Sequence, residues 1–148
     1  MADLIVVGVD DSEPSVHAAA AACRIAACLG AEFHAVFVAH VPAALLAVLA
    51  GVPAASSEVI ASQRDATWSL IGPVLDEADV PVRRVDLEGY PSDTLVSYAK
   101  EVDATMLVVG SRGRGDLVSL VLGSTSHRVV HDAHCDVLIA RSDAGGVP

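Results

Sequence analysis

The chain has 148 residues, of which 53% are hydrophobic and 19% charged, a balance typical of one globular domain rather than a disordered segment. Its nineteen acidic and nine basic residues give a net charge of −10, which argues against binding to nucleic acid or to an anionic membrane. Three cysteines without CxxC spacing form no disulfide framework, and nothing resembling a signal peptide precedes the first apolar run. The composition therefore predicts a protein of the reducing cytoplasm.

The first forty residues alternate between strand and helix patterns. Residues 4–9 (LIVVGV) are continuously apolar, as in a strand buried on both faces of a parallel sheet. Asp10 follows directly, and a helix is predicted from its N-cap Ser12 to a stop at Gly30. A second strand is expected from Phe33 to Val41. Four residues are predicted to form the buried face of the helix: Val16, Ala20, Cys23 and Ala27.

Residues 35–55 are apolar over about the length that a bilayer span needs. Polar and helix-breaking residues interrupt this run at His40, Pro42, Gly51 and Pro53. We therefore predict no membrane span here, but a strand followed by an apolar connecting loop over residues 42–56.

The rest of the chain continues the alternation. Helices are expected at residues 57–79, 92–101 and 124–133, and strands at 82–87, 105–109 and 137–140, the first of these at a sheet edge because its residues alternate with charges. This order predicts an α/β domain with a doubly wound parallel sheet. Such sheets bind ligands outside the carboxyl ends of their strands, where the strand order reverses. Asp10 and Gly110 both stand at such ends.

A glycine pattern after the fourth predicted strand is the clearest chemical signal. Gly110 and Gly113 leave that strand, and nine residues later Gly123-Ser124-Thr125 opens a helix. Glycines let backbone N–H groups approach a phosphate, and a helix start favours negative charge. The pattern is neither the Walker motif nor the dinucleotide motif GxGxxG. We predict a phosphate site, with a glycine-rich loop that binds nothing as the alternative.

This spacing matches the G-2x-G-9x-G-[ST] motif of the universal stress protein family, which the chain resembles from Leu4 to Arg141. The runs LVVGSRG (107–113) and HCDVLIAR (134–141) fall in the family's order. The resemblance implies a universal stress protein domain over residues 1–141 and a flexible tail over 142–148. It also implies a single-domain, Rossmann-like sheet of five parallel strands in the order 3-2-1-4-5 with helices on both faces, a homodimer, and ATP or another adenine nucleotide as ligand.

The resemblance also implies roles for individual residues. Asp10 is similar to the acidic residue that contacts the nucleoside, and Val41 to the apolar residue beside the adenine. Ribose and phosphates would be met from one side by Gly110, Ser111, Arg112 and Gly113, and from the other by Gly123, Ser124, Thr125 and Ser126. Mg²⁺ would accompany the phosphates, although no carboxylate of the motif is placed for it. For Asp10, the alternative is a residue that only shapes the turn before the helix.

Together these features predict a nucleotide-dependent sensor or regulator in a stress response, with an unknown downstream protein partner. A slow ATP hydrolase is the alternative from another class, but the motif offers no convincing general base. Two further functions fit the same pattern, namely a binding module for AMP or cyclic AMP and an interaction protein with an empty pocket. We therefore predict no catalytic residue. We also predict no metal site, because HRVVH at residues 127–131 lacks the glutamate of HExxH. His127, His131 and His134 are interpreted as a solvated face, with Val129 and Val130 turned toward the sheet.

Overall fold

The computed structural model describes residues 2–111 and 122–141. In these ranges the elements are β1 (Leu4–Val9), α1 (Glu13–Leu29), β2 (Glu32–Ala39), α2 (Ala43–Leu49), α3 (Pro53–Asp76), β3 (Val82–Glu88), α4 (Pro91–Glu101), β4 (Met106–Gly110), α5 (Ser124–Asp132) and β5 (Asp136–Ala140). The strands form one sheet in the order β3-β2-β1-β4-β5, and every pairing is parallel. The predicted fold class and strand order are confirmed. The predicted tail, residues 142–148, lies outside the described residues.

Helices cover both faces of the sheet, so the central strands are buried on both sides. In β1, Ile5 and Val7 belong to the apolar cluster that includes α1 and α3, whereas Val6 belongs to the cluster on the α4 and α5 side. All three side chains are fully buried. Successive strand residues point to opposite faces, which explains why β1 is continuously apolar rather than alternating.

Helix α1 ends where the sequence predicts but buries a different face. Gly30 adopts a left-handed conformation (φ 61°) at its C-cap, which favours glycine. The buried residues are Ser15, Ala18, Ala19, Ala22 and Ala26. The predicted face was wrong: Ala27 is exposed, and Val16, Ala20 and Cys23 are only partly buried. Because this helix is rich in alanine all round, hydropathy alone does not distinguish its faces, and contact with the sheet selects the smallest side chains.

The prediction of a loop over residues 42–56 was also wrong. Residues Ala43–Leu49 form α2, and α3 begins at Pro53 rather than near residue 57. Pro42 occupies the N-cap of α2, and Pro53 stands in the first turn of α3. Proline has no N–H to lose at a helix start, so these prolines begin helices instead of interrupting them. None of the helices in the described ranges combines the length and hydropathy of a membrane span.

The two sheet edges differ in character. β3 pairs with β2 at one edge, and its outward residues are charged, as predicted for an edge strand. β5 pairs with β4 at the other edge, and its residues Val137, Leu138 and Ile139 are all only partly buried. β2 ends at Ala39, two residues before the predicted end.

Candidate functional site

A cleft opens at the carboxyl ends of β1 and β4, between which the strand order reverses. The described residues enclose about 220 Å³ there. One part of the lining is apolar and comes from β2 and the start of α4: Val36, Val38, Pro91 and Leu95. The other part is polar and comes from the turn after β1 and the start of α5: Asp10, Ser12, Ser15, Gly123, Ser124, Thr125 and Ser126. The site therefore lies at the position expected for a doubly wound sheet.

Asp10 is held by the turn that leaves β1. Its backbone N–H donates to the Ser15 hydroxyl at 2.8 Å, and its Oδ1 accepts from the Ser12 N–H at 3.0 Å and from the Ser12 hydroxyl. Ser12 thus orients the carboxylate instead of capping α1 with its side chain. Asp10 shapes the turn and also lines the cleft, where it is the one charged side chain among the described lining residues.

The two described parts of the glycine pattern are joined by backbone hydrogen bonds. The Gly123 N–H donates to the Ser111 carbonyl at 2.8 Å, and the Ser111 N–H donates to the Ala140 carbonyl at 2.9 Å. The end of β4 is thereby fixed against both β5 and the start of α5. Gly110 lines the cleft beside them. Arg112 and Gly113, also predicted as site residues, lie outside the described residues.

Helix α5 directs its N-terminus into the cleft. Gly123 occupies the N-cap and supplies no side chain there, and Ser124 and Thr125 follow in the lining. The first backbone N–H groups of a helix have no acceptor within it, and together with the helix dipole they favour an anion. The buried Ser126 hydroxyl lies 3.2 Å from the Ser111 carbonyl oxygen and 3.0 Å from that of Gly123. Ser126 therefore supports this arrangement by bonding to the backbone around it.

The apolar side of the cleft is where sequence reasoning missed residues. Val41 lies beyond the end of β2 and does not belong to the described lining, whereas Val38, Pro91 and Leu95 do. Two signals were available. Val38 precedes the observed end of β2 by one residue, and Pro91 opens a helix directly after β3, so both stand at the carboxyl edge of the sheet.

The histidines lie away from the polar lining. His127 and His131 are exposed on α5 with ring centroids 5.7 Å apart, and within the described ranges no three His, Cys, Asp or Glu residues are grouped to hold a metal ion. Val129 is buried as predicted, but Val130 is 50% exposed and does not face the sheet. His34 is buried, with its Nδ1 2.9 Å from the Tyr98 hydroxyl.

Burial lowers the pKa of the His34 imidazole from its ordinary value; the Arg83 guanidinium lowers it further, and Glu32 opposes this. Burial likewise raises the pKa of Tyr98. Both groups therefore remain neutral at neutral pH, and their hydrogen bond joins β2 to α4 beneath the cleft.

Comparison with known proteins identifies relatives over almost the whole chain. Residues 1–141 match the model of the universal stress protein family. A universal stress protein of Methanocaldococcus jannaschii is 30% identical over 142 residues, which cover 93% of this chain and 81% of that protein. A universal stress protein solved in complex with cAMP is 29% identical, with a TM-score of 0.64 and coverage of 93% of this chain and 95% of that one. UspA from Lactobacillus plantarum is 27% identical, with a TM-score of 0.74 and coverage of 94% and 97%.

Proposed function

We propose that this chain, which belongs to the universal stress protein family, binds an adenine nucleotide in the cleft at the carboxyl ends of β1 and β4 and responds to it as a regulator. One observation carries the proposal: a single cleft combines an apolar wall, an oriented carboxylate and an open helix N-terminus. A nucleotide offers a base, a ribose and a phosphate in the same order. The relative solved with cAMP, 29% identical to this chain, supports this class of ligand.

The lining suggests how the ligand would lie. The adenine would pack against Val38, Pro91 and Leu95, and Val41 would approach it from the connection after β2. The Asp10 carboxylate would accept hydrogen bonds from the ribose hydroxyls, since the described contacts engage only its Oδ1. This orientation sends the phosphates toward α5.

The phosphates would be bound from two sides, as the glycine spacing predicts. Backbone N–H groups and hydroxyls at Ser124 and Thr125 would donate from α5, with Gly123 and Ser126 holding that turn in place. Gly110, Ser111, Arg112 and Gly113 would meet the ribose and phosphates from the end of β4. A helix N-terminus supplies partial positive charge without a bulky side chain, which suits a phosphate group.

ATP is the ligand we propose first, and Mg²⁺ bound to it would be held mainly by phosphate oxygens and water, as is usual for this ion. Cyclic AMP or AMP is the second candidate, favoured by the cAMP complex of the relative. In either case the bound nucleotide would stabilise one arrangement of the cleft and so shift the population toward it. A partner protein in the cytoplasm would then bind to the nucleotide-bound arrangement.

ATP hydrolysis is less well supported than binding. The described lining contains no lysine or histidine, and its one carboxylate, Asp10, already accepts two hydrogen bonds from Ser12. A hydrolase needs a group that positions or deprotonates water. We therefore expect steady-state turnover far below the enzyme median of about 10 per second.

A homodimer is also proposed, because β5 leaves a sheet edge free within the described residues. Val137, Leu138 and Ile139 are partly exposed in the isolated chain, and an apolar edge strand is a surface that proteins usually cover or pair. Light scattering coupled to size exclusion should give about twice the 15.1 kDa chain mass. A monomer at all concentrations would remove this part of the proposal.

The central experiment identifies what the protein binds. Mass spectrometry of the small molecules released from purified protein should find an adenine nucleotide. Calorimetric titration should then rank ATP, AMP and cAMP, with GTP as the control for the base. A bound ligand raises the melting temperature in proportion to the logarithm of its concentration over Kd. No released nucleotide, no heat of binding and no shift in melting temperature would together refute nucleotide binding.

A further inference from the structure

An arginine of α5 contacts the tyrosine that caps the start of α4, next to residues that line the cleft. The guanidinium carbon of Arg128 lies 5.8 Å from the centre of the Tyr90 ring, within the range of a cation–π contact. The His40 ring meets Tyr90 edge-on at 5.3 Å between centroids. Tyr90 is 47% exposed, so this contact is on the surface, but His40 restricts the position of its ring.

Both residues stand next to groups that line the cleft. Tyr90 immediately precedes Pro91, which belongs to the apolar wall. Arg128 follows Ser124 by four residues on α5, and residues at this spacing lie on the same helical face. Helical side chains lean toward the N-terminus of their helix, and on α5 this is the end at which we place the phosphates.

The charge of Arg128 is not neutralised by a described neighbour. No carboxylate in the described ranges lies within 4.0 Å of it, whereas Arg84 pairs with Asp76 at 3.0 Å and Arg64 with Asp65 at 3.7 Å. The described lining itself contains one charge, the negative Asp10. Each further phosphate therefore adds negative charge to a cleft whose described lining supplies no cation of its own.

We propose that Arg128, held in place by Tyr90, sets the preference of the cleft for nucleotides with more phosphates. This inference rests on the proposed nucleotide binding. The cation attracts the β- and γ-phosphates of ATP, which extend beyond the α5 N-terminus, and contributes little to AMP, whose single phosphate the helix N–H groups already bind. Because Arg128 is exposed, its attraction is screened by salt and is largest at low ionic strength.

The test is calorimetric titration of the full chain with ATP and AMP, at low ionic strength and at about 0.15 M. Arg128→Gln should weaken ATP binding by roughly three- to tenfold at low salt and AMP binding by less than about twofold, because the lost attraction grows with ligand charge. Arg64→Gln is the control for charge removal, since it takes the same charge from a half-exposed arginine on α3, and it should change neither affinity. Arg128→Lys keeps the charge and should retain most of the preference for ATP.

Variants of Tyr90 test whether the position of the Arg128 guanidinium matters as well as its charge. Tyr90→Phe keeps the ring under the guanidinium and should bind ATP like the wild type, whereas Tyr90→Leu frees Arg128 and should lose part of the preference. If the wild type binds both nucleotides with equal affinity, or if Arg128→Gln weakens both equally or neither, Arg128 does not set phosphate preference and nucleotide binding itself still stands. If the wild type binds neither nucleotide, the proposed function fails and takes this inference with it.

Discussion

Gly110 passes so close to Pro14 that a Cβ atom on the glycine would lie 3.1 Å from the Pro14 carbonyl oxygen. The contact joins the end of β4 to the first turn of α1 beneath the cleft. Its partner is backbone, which cannot turn aside as a side chain can. The first glycine of the predicted phosphate motif therefore has a close packing contact of its own, independent of any ligand.

Gly110→Ala should destabilise the fold by about 1 to 3 kcal/mol, the usual cost of inserting a carbon into a packed site. This corresponds to a fall of several degrees in melting temperature, measured without ligand. Gly51→Ala is the control, because no atom lies within 4 Å of the Cβ it would add, and it should change the stability by less than about 0.5 kcal/mol. Equal stability of the two variants would show that Gly110 is not constrained by Pro14.

The proposed role of Asp10 is separable from its part in the turn. Asp10→Asn keeps an Oδ1 that can accept from the Ser12 N–H but loses the negative charge. Hydrogen bonds to charged groups contribute roughly 1.5 to 3 kcal/mol. The wild type should therefore bind ATP about tenfold or more tightly than 2′,3′-dideoxy-ATP, which lacks both ribose hydroxyls. In Asp10→Asn this ratio of affinities should be smaller. Repulsion between the carboxylate and the phosphates is the same for both nucleotides and cancels.

Ser12→Ala is the control for Asp10, because it removes the hydroxyl contact to Oδ1 and leaves the carboxylate and the Ser12 N–H in place. It should keep the preference for ATP over the dideoxy nucleotide. A preference that is undiminished in Asp10→Asn would assign Asp10 to the turn alone.

Local signals in the sequence were sufficient for the order of the five strands and for placing Asp10, Gly110 and Gly123 at the ends of elements. A continuously apolar run marks β1 because both faces are covered, and Gly30 marks the end of α1 because its φ is positive. The polar half follows from position, since Asp10 and Gly110 end strands β1 and β4, and Gly123 opens a helix. Each of these signals depends only on near neighbours in the chain.

The errors arose where the structure depends on distant contacts. The buried face of α1 is chosen by the sheet among many alanines, and α2 forms from a segment whose prolines suit helix starts as well as loops. The apolar wall requires Val38 of β2 and Leu95 of α4 to meet across the sheet. No spacing along the chain encodes that contact, so the sequence did not predict Val38 and Leu95; the role of Val41 stays a prediction.

His34 should make folding stability depend on pH. Its pKa is lowered in the folded state, by burial first and by Arg83 second, with Glu32 opposing, so the unfolded chain binds the proton first as the pH falls. The stability that neutral His34 contributes is therefore complete above its unfolded pKa of about 6.5 and is lost as the pH falls through the lower folded value.

Urea unfolding at pH 7.5 and 5.5 should show this loss in the wild type, and His34→Gln should show less of it. His127→Gln, at an exposed position on α5, controls for the removal of any histidine and should behave like the wild type. The same loss between the two pH values in all three proteins would place the titrating group elsewhere.

Gly8 and Leu95 provide a test of the apolar wall. A Cβ on Gly8 would lie 2.6 Å from Leu95 Cδ1, so Gly8→Ala must displace the buried Leu95 side chain. Leu95 lines the cleft, so we expect it to move into the cleft. The variant should be destabilised by about 1 to 3 kcal/mol and should bind the adenine nucleotide more weakly, because the displaced leucine fills part of the base position. Urea unfolding and calorimetric titration measure the two effects.

A double-mutant cycle with Leu95→Ala identifies the cause of that weakening. Leu95→Ala alone should cost about 2 to 5 kcal/mol as a truncation of a buried leucine. In the double variant the leucine that the new Cβ would clash with is absent. The destabilisations of the two single variants should therefore add up to more than that of the double variant, by a coupling energy of roughly 1 kcal/mol. Gly8→Ala should then leave nucleotide affinity unchanged in the Leu95→Ala background. An equal loss of affinity in both backgrounds would mean that Gly8 acts through the end of β1 rather than through Leu95.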